Sequence, residues 1–184
     1  SIQSESYVVP SYVVLRAGVL GLEAKQICAY SAAKDVSVSP KTFCIQGDKF
    51  SFDEEKLSGR IDCSPGDIQE HPEYLCDSGS VSWDLRYEIR CDLGKGYSGK
   101  NCTWAPTGAR SVFAGNFTID GKVYEVVPKK SAGYIDRFFG KNVVFPWIHL
   151  SSNVLTSIIS GKTLTDSTFA VQGAFENQVS AVVD

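Results

Sequence analysis

The chain has 184 residues, 43% hydrophobic and 11% aromatic, enough for a real core in one domain or in one piece of a larger protein. A net charge of −3 and a pI near 5.4 exclude the basic face that nucleic acid demands. No apolar run reaches the roughly 18 residues of a membrane span, and no signal peptide precedes Ser1, as expected of a mature, trimmed product or of a cytosolic protein.

Along the chain, Tyr12-Val-Val-Leu15 reads as a strand. The stretch 20–33 holds two readings: Leu22-Glu-Ala-Lys-Gln26 carries good helix formers, but glycines interrupt it. Short strands fit 36–38, 42–46, 50–52 and 57–61, and the turn-rich stretch 63–80 reads as a surface loop. From Trp83 to Arg90 apolar and charged residues alternate without a break, a half-buried strand with Trp83, Leu85, Tyr87 and Ile89 inward. A second loop is expected over 94–108. The stretch 111–119 alternates again, with Phe113, Phe117 and Ile119 on one face and Asn116 outward. Asp120-Gly121 is a type I′ hairpin turn returning through 122–127, and 145–152 and 167–173 complete the strands. Short strands punctuated by Gly, Asp and Ser predict an all-β antiparallel barrel or sandwich spanning 1–184, and no internal repeat is visible.

Six cysteines, Cys28, Cys44, Cys63, Cys76, Cys91 and Cys102, exceed what a cytosolic chain of this size usually carries. Two glycosylation sequons, at Asn101 and Asn116, agree with an even cysteine count and favour a secreted or organelle-lumen protein. The cytoplasmic alternative makes the cysteines buried free thiols. Six cysteines allow about fifteen connectivities, of which the local set Cys28–Cys44, Cys63–Cys76 and Cys91–Cys102 is favoured. With no Cys-x-x-Cys and only two histidines, a zinc site is not expected.

The candidate chemistry lies between residues 133 and 153. Asp136 sits between Tyr134 and Phe138, where a carboxyl in aromatic surroundings serves as a general acid; the plain alternative is a turn aspartate bonded to its own backbone or to Arg137. His149 shares a strand face with Trp147, either as a pocket base or as a core histidine. The turn should bring Asp136 and His149 within reach of each other. Trp83, Tyr87, Tyr134, Phe138 and Trp147 are the candidate walls of a pocket for a hydrophobic molecule. No Gly-x-Ser-x-Gly elbow is present, so nothing beyond residue types suggests a serine triad.

An ordered set of blocks resembles one family. They are Gly18-Val-Leu-Gly-Leu-Glu-Ala-Lys-Gln-Ile27, Leu57-Ser-Gly-Arg-Ile61, His71-Pro-Glu-Tyr-Leu-Cys-Asp77, Val81-Ser-Trp-Asp-Leu85, Gly115-Asn-Phe-Thr-Ile-Asp-Gly-Lys-Val-Tyr-Glu125, Gly133-Tyr-Ile-Asp136 with Pro146-Trp147, and Leu150-Ser-Ser-Asn-Val-Leu-Thr-Ser157. Together they resemble the tocopherol cyclase-like proteins, related to the AttH and carotenoid-hydratase lipocalin-like proteins. The resemblance implies a lipocalin-like barrel or calyx, usually followed by a second similar domain. It also implies a cyclase or isomerase for long isoprenoid or polyene substrates, Diels–Alder closures included, with no metal or organic cofactor. The chain departs from the family pattern in three ways. Arg137, Phe138 and Phe139 follow the acid where the family has Lys-Asn-Trp, His149 stands where a second Trp is usual, and the chain is about half the usual length. The usual second domain is then expected to be supplied by another chain, removed, or replaced by self-association.

Overall fold

In the computed structural model, the residues described are 2–4, 12–21, 23–39, 41–94, 96–98, 102–140, 147–165, 167–174 and 178–183. The strands in chain order are β1 (Ile2–Ser4), β2 (Tyr12–Val19), β3 (Lys25–Ala32), β4 (Ser37–Val38), β5 (Ile45–Gln46), β6 (Phe50–Phe52), β7 (Lys56–Cys63), β8 (Gly79–Cys91), β9 (Tyr97–Ser98) and β10 (Cys102–Ile119). They continue with β11 (Lys122–Val126), β12 (Gly133–Gly140), β13 (Trp147–Ser152), β14 (Leu155–Thr156), β15 (Thr163–Leu164), β16 (Phe169–Ala174) and β17 (Gln178–Val183). The fold is all-β, and its main sheet is a strongly curled half-barrel of antiparallel strands in the order β11-β10-β8-β7-β6-β5-β4, with β9 and β12 also paired to β10. Smaller sheets are β1-β2-β3, β13-β16-β17 and β14-β15. The chain divides into two compact units, Ser1–Arg86 with Ala114–Val126, and Tyr87–Phe113 with Val127–Asp184.

In the first unit, the register of β7 on β8 sets Leu57 opposite Leu85, Gly59 opposite Trp83 and Ile61 opposite Val81. These pairs share one face, and with Leu15, Ile27 and Phe50 they form the core. A side chain at position 59 would collide with the Trp83 indole, so only glycine lets this ring lie across the neighbouring strand. The alternation read in 83–90 holds as far as Leu85 and Tyr87, which are half-buried, while Ile89 is exposed, because the core cluster ends at Leu85.

Within the ambiguous stretch 20–33, Lys25–Ala32 forms the strand β3. Tyr12 pairs with Ala32 and Val19 with Lys25, and Val13, Leu15, Ile27 and Ala29 enter the core at the period of two that only a strand provides. At Lys25 and Gln26 strand pairing prevails over helix propensity. Two expected loops are also corrected. Within 63–80, Ser64 caps a short helix, α1 (Pro65–Glu70): its hydroxyl accepts from Asp67 N at 3.1 Å and the Asp67 carboxylate accepts from Ser64 N at 2.7 Å. Within 94–108, β10 has already begun at Cys102. The I′ turn forms, with φ of 46° at Asp120 and 81° at Gly121.

The disulfide expectation meets free thiols at Cys28, Cys44, Cys63 and Cys76; the side chain of Cys102, the expected partner of Cys91, and all of Asn101 lie outside the described residues. Cys28 lies beside Cys76 and Cys63, in place of the expected Cys44, and the Cys76 thiol hydrogen-bonds to both. The reason is local. Asp77 N donates to Gln26 O at 2.7 Å and Gln26 N to the Asp77 carboxylate at 2.8 Å, which straps the 75–77 segment along β3. Burial, followed by the Cys76 neighbour, pushes the thiols of Cys28 and Cys63 up to about 11. Asn116 is exposed on β10. Among the described residues, no helix is long and apolar enough to cross a membrane.

Trp83 is 7% exposed at the centre of the first core, against Phe52. Trp83→Ala should cost about 3–5 kcal/mol of unfolding free energy, read from the urea midpoint. For the thiols, the folded state holds its protons more tightly than the unfolded chain. Their contribution is therefore intact below about pH 9 and is lost as pH rises towards about 11. A Cys28→Ala, Cys63→Ala variant should show a flatter loss of stability over that interval than the reduced wild type.

Candidate functional site around Asp136

The candidate site lies in the second unit, on β10, β12 and β13. Strand β12 pairs antiparallel with β10, with Trp104 opposite Phe138, Ala105 opposite Arg137, Gly108 opposite Ile135 and Ser111 opposite Gly133; the register shifts between Ala105 and Gly108 and again between Gly108 and Ser111. Such irregularities twist a strand and re-aim its side chains. Tyr134, Asp136 and Phe138 alternate onto the face that carries Trp104. The indole is almost fully buried, at 1% exposure, and its ring packs flat on the backbone of Gly96, where any Cβ would collide with it. Gly96 N donates to Trp104 O at 3.1 Å and fixes that approach.

Asp136 Oδ2 accepts two hydrogen bonds, from Trp104 Nε1 at 2.9 Å and from the Tyr134 hydroxyl at 3.1 Å. The Tyr134 phenol is pushed well above its usual range, first by burial, then by the Asp136 charge and the hydrogen bond it makes to it. Tyr134 therefore stays a protonated donor across the physiological range, and Asp136 is the acceptor of the pair. His149, half-buried on β13, completes the group. Its ring centroid is 5.2 Å from that of Tyr134 and 6.2 Å from that of Trp104, the latter edge-on at 86°. Among the described hydrogen bonds none joins His149 to Asp136; the described contacts of the imidazole are with the Tyr134 and Trp104 rings.

Polar anchors hold these strands together. Asn153 Nδ2 donates to Gly133 O at 2.6 Å and to Ala109 O at 3.3 Å. The buried Thr168 hydroxyl lies 3.0 Å from Ser152 O and 3.1 Å from Ala109 O. Ser131 Oγ accepts from Phe113 N at 2.8 Å and donates to Phe113 O at 2.9 Å. Asn153 and Thr168 both serve Ala109 O, which lies within the second register shift of β10.

The structure brings together Asp136, Tyr134 and His149, with Phe138 exposed beside them on the Trp104 face. Tyr87 packs against Phe113, ring centroids 5.9 Å apart, in the same unit. Trp83 is a core residue of the first unit. The backbone of Trp147 pairs with Ala174 on β16, and its side chain lies outside the described residues. Trp104 is the functional residue that sequence reasoning missed, because it stood inside a stretch read as a loop. Its signal was available: an indole N–H is a donor only, and a buried one calls for an acceptor. Two grooves are lined by residues of the first unit. A groove of about 420 Å³ runs along Arg16–Leu20 and Ala24–Gln26 to Asp77, and one of about 380 Å³ is lined by Asp48, Lys49, Arg60 and Asp62.

Removing the acceptor orphans two donors. Asp136→Ala should lower stability by about 2–4 kcal/mol, while Tyr134→Phe, which orphans none, costs about 1 kcal/mol; chemical denaturation of both and of the double variant gives their coupling. Asp136→Asn should also bring the Tyr134 phenol down towards, but not to, its ordinary value, because burial remains. The check is a tyrosinate absorbance titration against Tyr134→Phe. No family model matches this sequence, and the searches of curated proteins and of solved structures return no significant match.

Proposed function

We propose that the second unit carries a cofactor-independent cyclase or isomerase site for a long, mostly apolar isoprenoid or polyene. The observation that carries the reading is the convergence of a carboxylate, a phenol, an imidazole and an indole from three strands at Asp136, Tyr134, His149 and Trp104. Asp136 accepts the hydrogen bond of a substrate hydroxyl, or exchanges its proton with it. His149 supplies the second proton-handling group. The faces of Tyr134, Trp104 and Phe138 steady a developing cation and hold the chain folded. Such positioning of reacting atoms is worth roughly 7–11 kcal/mol of barrier without any cofactor. The ordered sequence blocks resembling tocopherol cyclase-like proteins support the substrate class, and the curled half-barrel sheet suits a calyx. In this reading a second domain or a second copy of the chain completes the enclosure. The exposed sequon residue Asn116 supports a secreted or lumenal setting.

One observation favours a second reading, a carrier that binds such a molecule without chemistry. Two protein donors, Trp104 and Tyr134, converge on one oxygen of Asp136, as expected of a structural network. Incubation with isoprenoid quinols and polyenes, followed by product detection by mass and retention time, separates the two. The enzyme yields product that Asp136→Asn abolishes while ligand binding, followed by tryptophan fluorescence, changes less than about threefold. Binding without product across the accessible pH range establishes the carrier. A variant that loses binding, product and fold together marks Asp136 as structural.

A further inference from the structure

The β14–β15 hairpin of the second unit ends in Ser157-Ile-Ile-Ser-Gly-Lys162. At its tip Ile158 is 100% exposed and Ile159 is 95% exposed, with Val154 and Leu164 exposed along the stems. Two adjacent, fully exposed isoleucines on a convex tip are not core residues, and a convex tip encloses no ligand. Four of the loop's backbone donors are served by its own groups, which lowers the cost of entering a low-dielectric layer. Ser157 N donates to Lys162 O at 2.9 Å, Gly161 N to Ser157 O at 2.8 Å, Ser160 N to Ser157 Oγ at 3.2 Å and Lys162 N to Ser160 Oγ at 3.4 Å. Gly161, at φ 67°, takes the left-handed conformation that closes the turn. Behind the apolar tip stands a collar of hydroxyls, Thr156, Ser157, Ser160 and Thr163, and the only ionisable side chain in 153–165 is Lys162. Asn153 locks the base of the hairpin to the backbone of Ala109 and Gly133, so the tip is presented from a fixed support.

We propose that this hairpin tip is a membrane-surface anchor that inserts Ile158 and Ile159 into the headgroup–acyl boundary of an anionic phospholipid bilayer, with Lys162 at the lipid phosphates. An aliphatic tip, a hydroxyl collar and a lone cation match the layered polarity of that boundary. The tip contains none of the Trp, Tyr and Arg anchors that dominate protein–protein hot spots, which favours lipid over a protein partner. The inference stands independently of the reading of the Asp136 site, and its test involves no substrate. Two inserted aliphatic side chains give weak, reversible attachment, not permanent residence.

The test is co-sedimentation of the full chain with phosphatidylcholine vesicles with and without phosphatidylserine. The wild type should partition onto the mixed vesicles. Ile158→Ser with Ile159→Ser should reduce partitioning about a hundredfold, roughly tenfold per isoleucine. Lys162→Gln should reduce it about fivefold on anionic vesicles and leave neutral ones unchanged. Circular dichroism should be identical for all, since the substituted side chains are solvated. Absence of wild-type binding, or equal binding by the double serine variant, overturns the proposal. So does a concentration-dependent self-association, seen by light scattering, that the serines abolish without any vesicle binding, since the tip is then a contact between copies.

Discussion

An indole N–H removed from water must find an acceptor, and at Trp104 the acceptor is the carboxylate of Asp136, 32 residues later in the chain. This one bond spans β10 and β12, where the ladder is irregular. With the Trp104 donor in place, Asp136 is drawn onto the indole face. Tyr134, two residues earlier on the same face, then donates its hydroxyl to the same oxygen. The imidazole of His149 fills the remaining side against both rings. The shared oxygen makes the three side chains a single unit, in which the phenol cannot ionise without placing two negative charges together.

That coupling bears on how an acid at this position can act. A carboxylate holding two internal donors is oriented and its charge is compensated, so it is placed to receive a further hydrogen bond. A phenol held protonated beside it is a fixed donor. The arrangement is closer to a hydrogen-bonding anchor for a polar substrate end than to an isolated general acid, and this is common to the catalytic and the carrier readings. What separates them is whether a bound molecule is converted to product.

The first unit is organised differently. Its core is a period-two face in β2, β3, β7 and β8, closed by Trp83 over Gly59, and it contains almost no polar side chain. Its chemistry is the thiol group at Cys28, Cys63 and Cys76, assembled because the Asp77–Gln26 strap lays the segment after α1 along β3. Two buried thiols with suppressed ionisation are poor nucleophiles, and below about pH 9 they behave as small apolar side chains.

Alternation and turn chemistry were legible in the sequence because they are local. The strand through Trp83–Leu85, the Asp120-Gly121 turn and the all-β class follow from side-chain period and from backbone conformations that few residues adopt. The stretch around Asp136 was legible as a candidate for the same reason: an acid among aromatics is visible in a line of text. The strand β3 within 20–33 was not legible, because its helix formers Lys25 and Gln26 are overruled by pairing with β2 and by a core shared with strands that appear later in the chain. Trp104 was not legible as a site residue, since its role depends on a cross-strand register that two irregularities reset. Nor was the partner of Cys28, which a strap at Asp77 selects over the cysteine nearer in sequence. By itself the sequence determined the class, the turns and the identity of the acid. Which indole, phenol and imidazole surround that acid was decided only by the tertiary structure, because a hydrogen bond between distant strands depends on register, and register is set by the whole sheet.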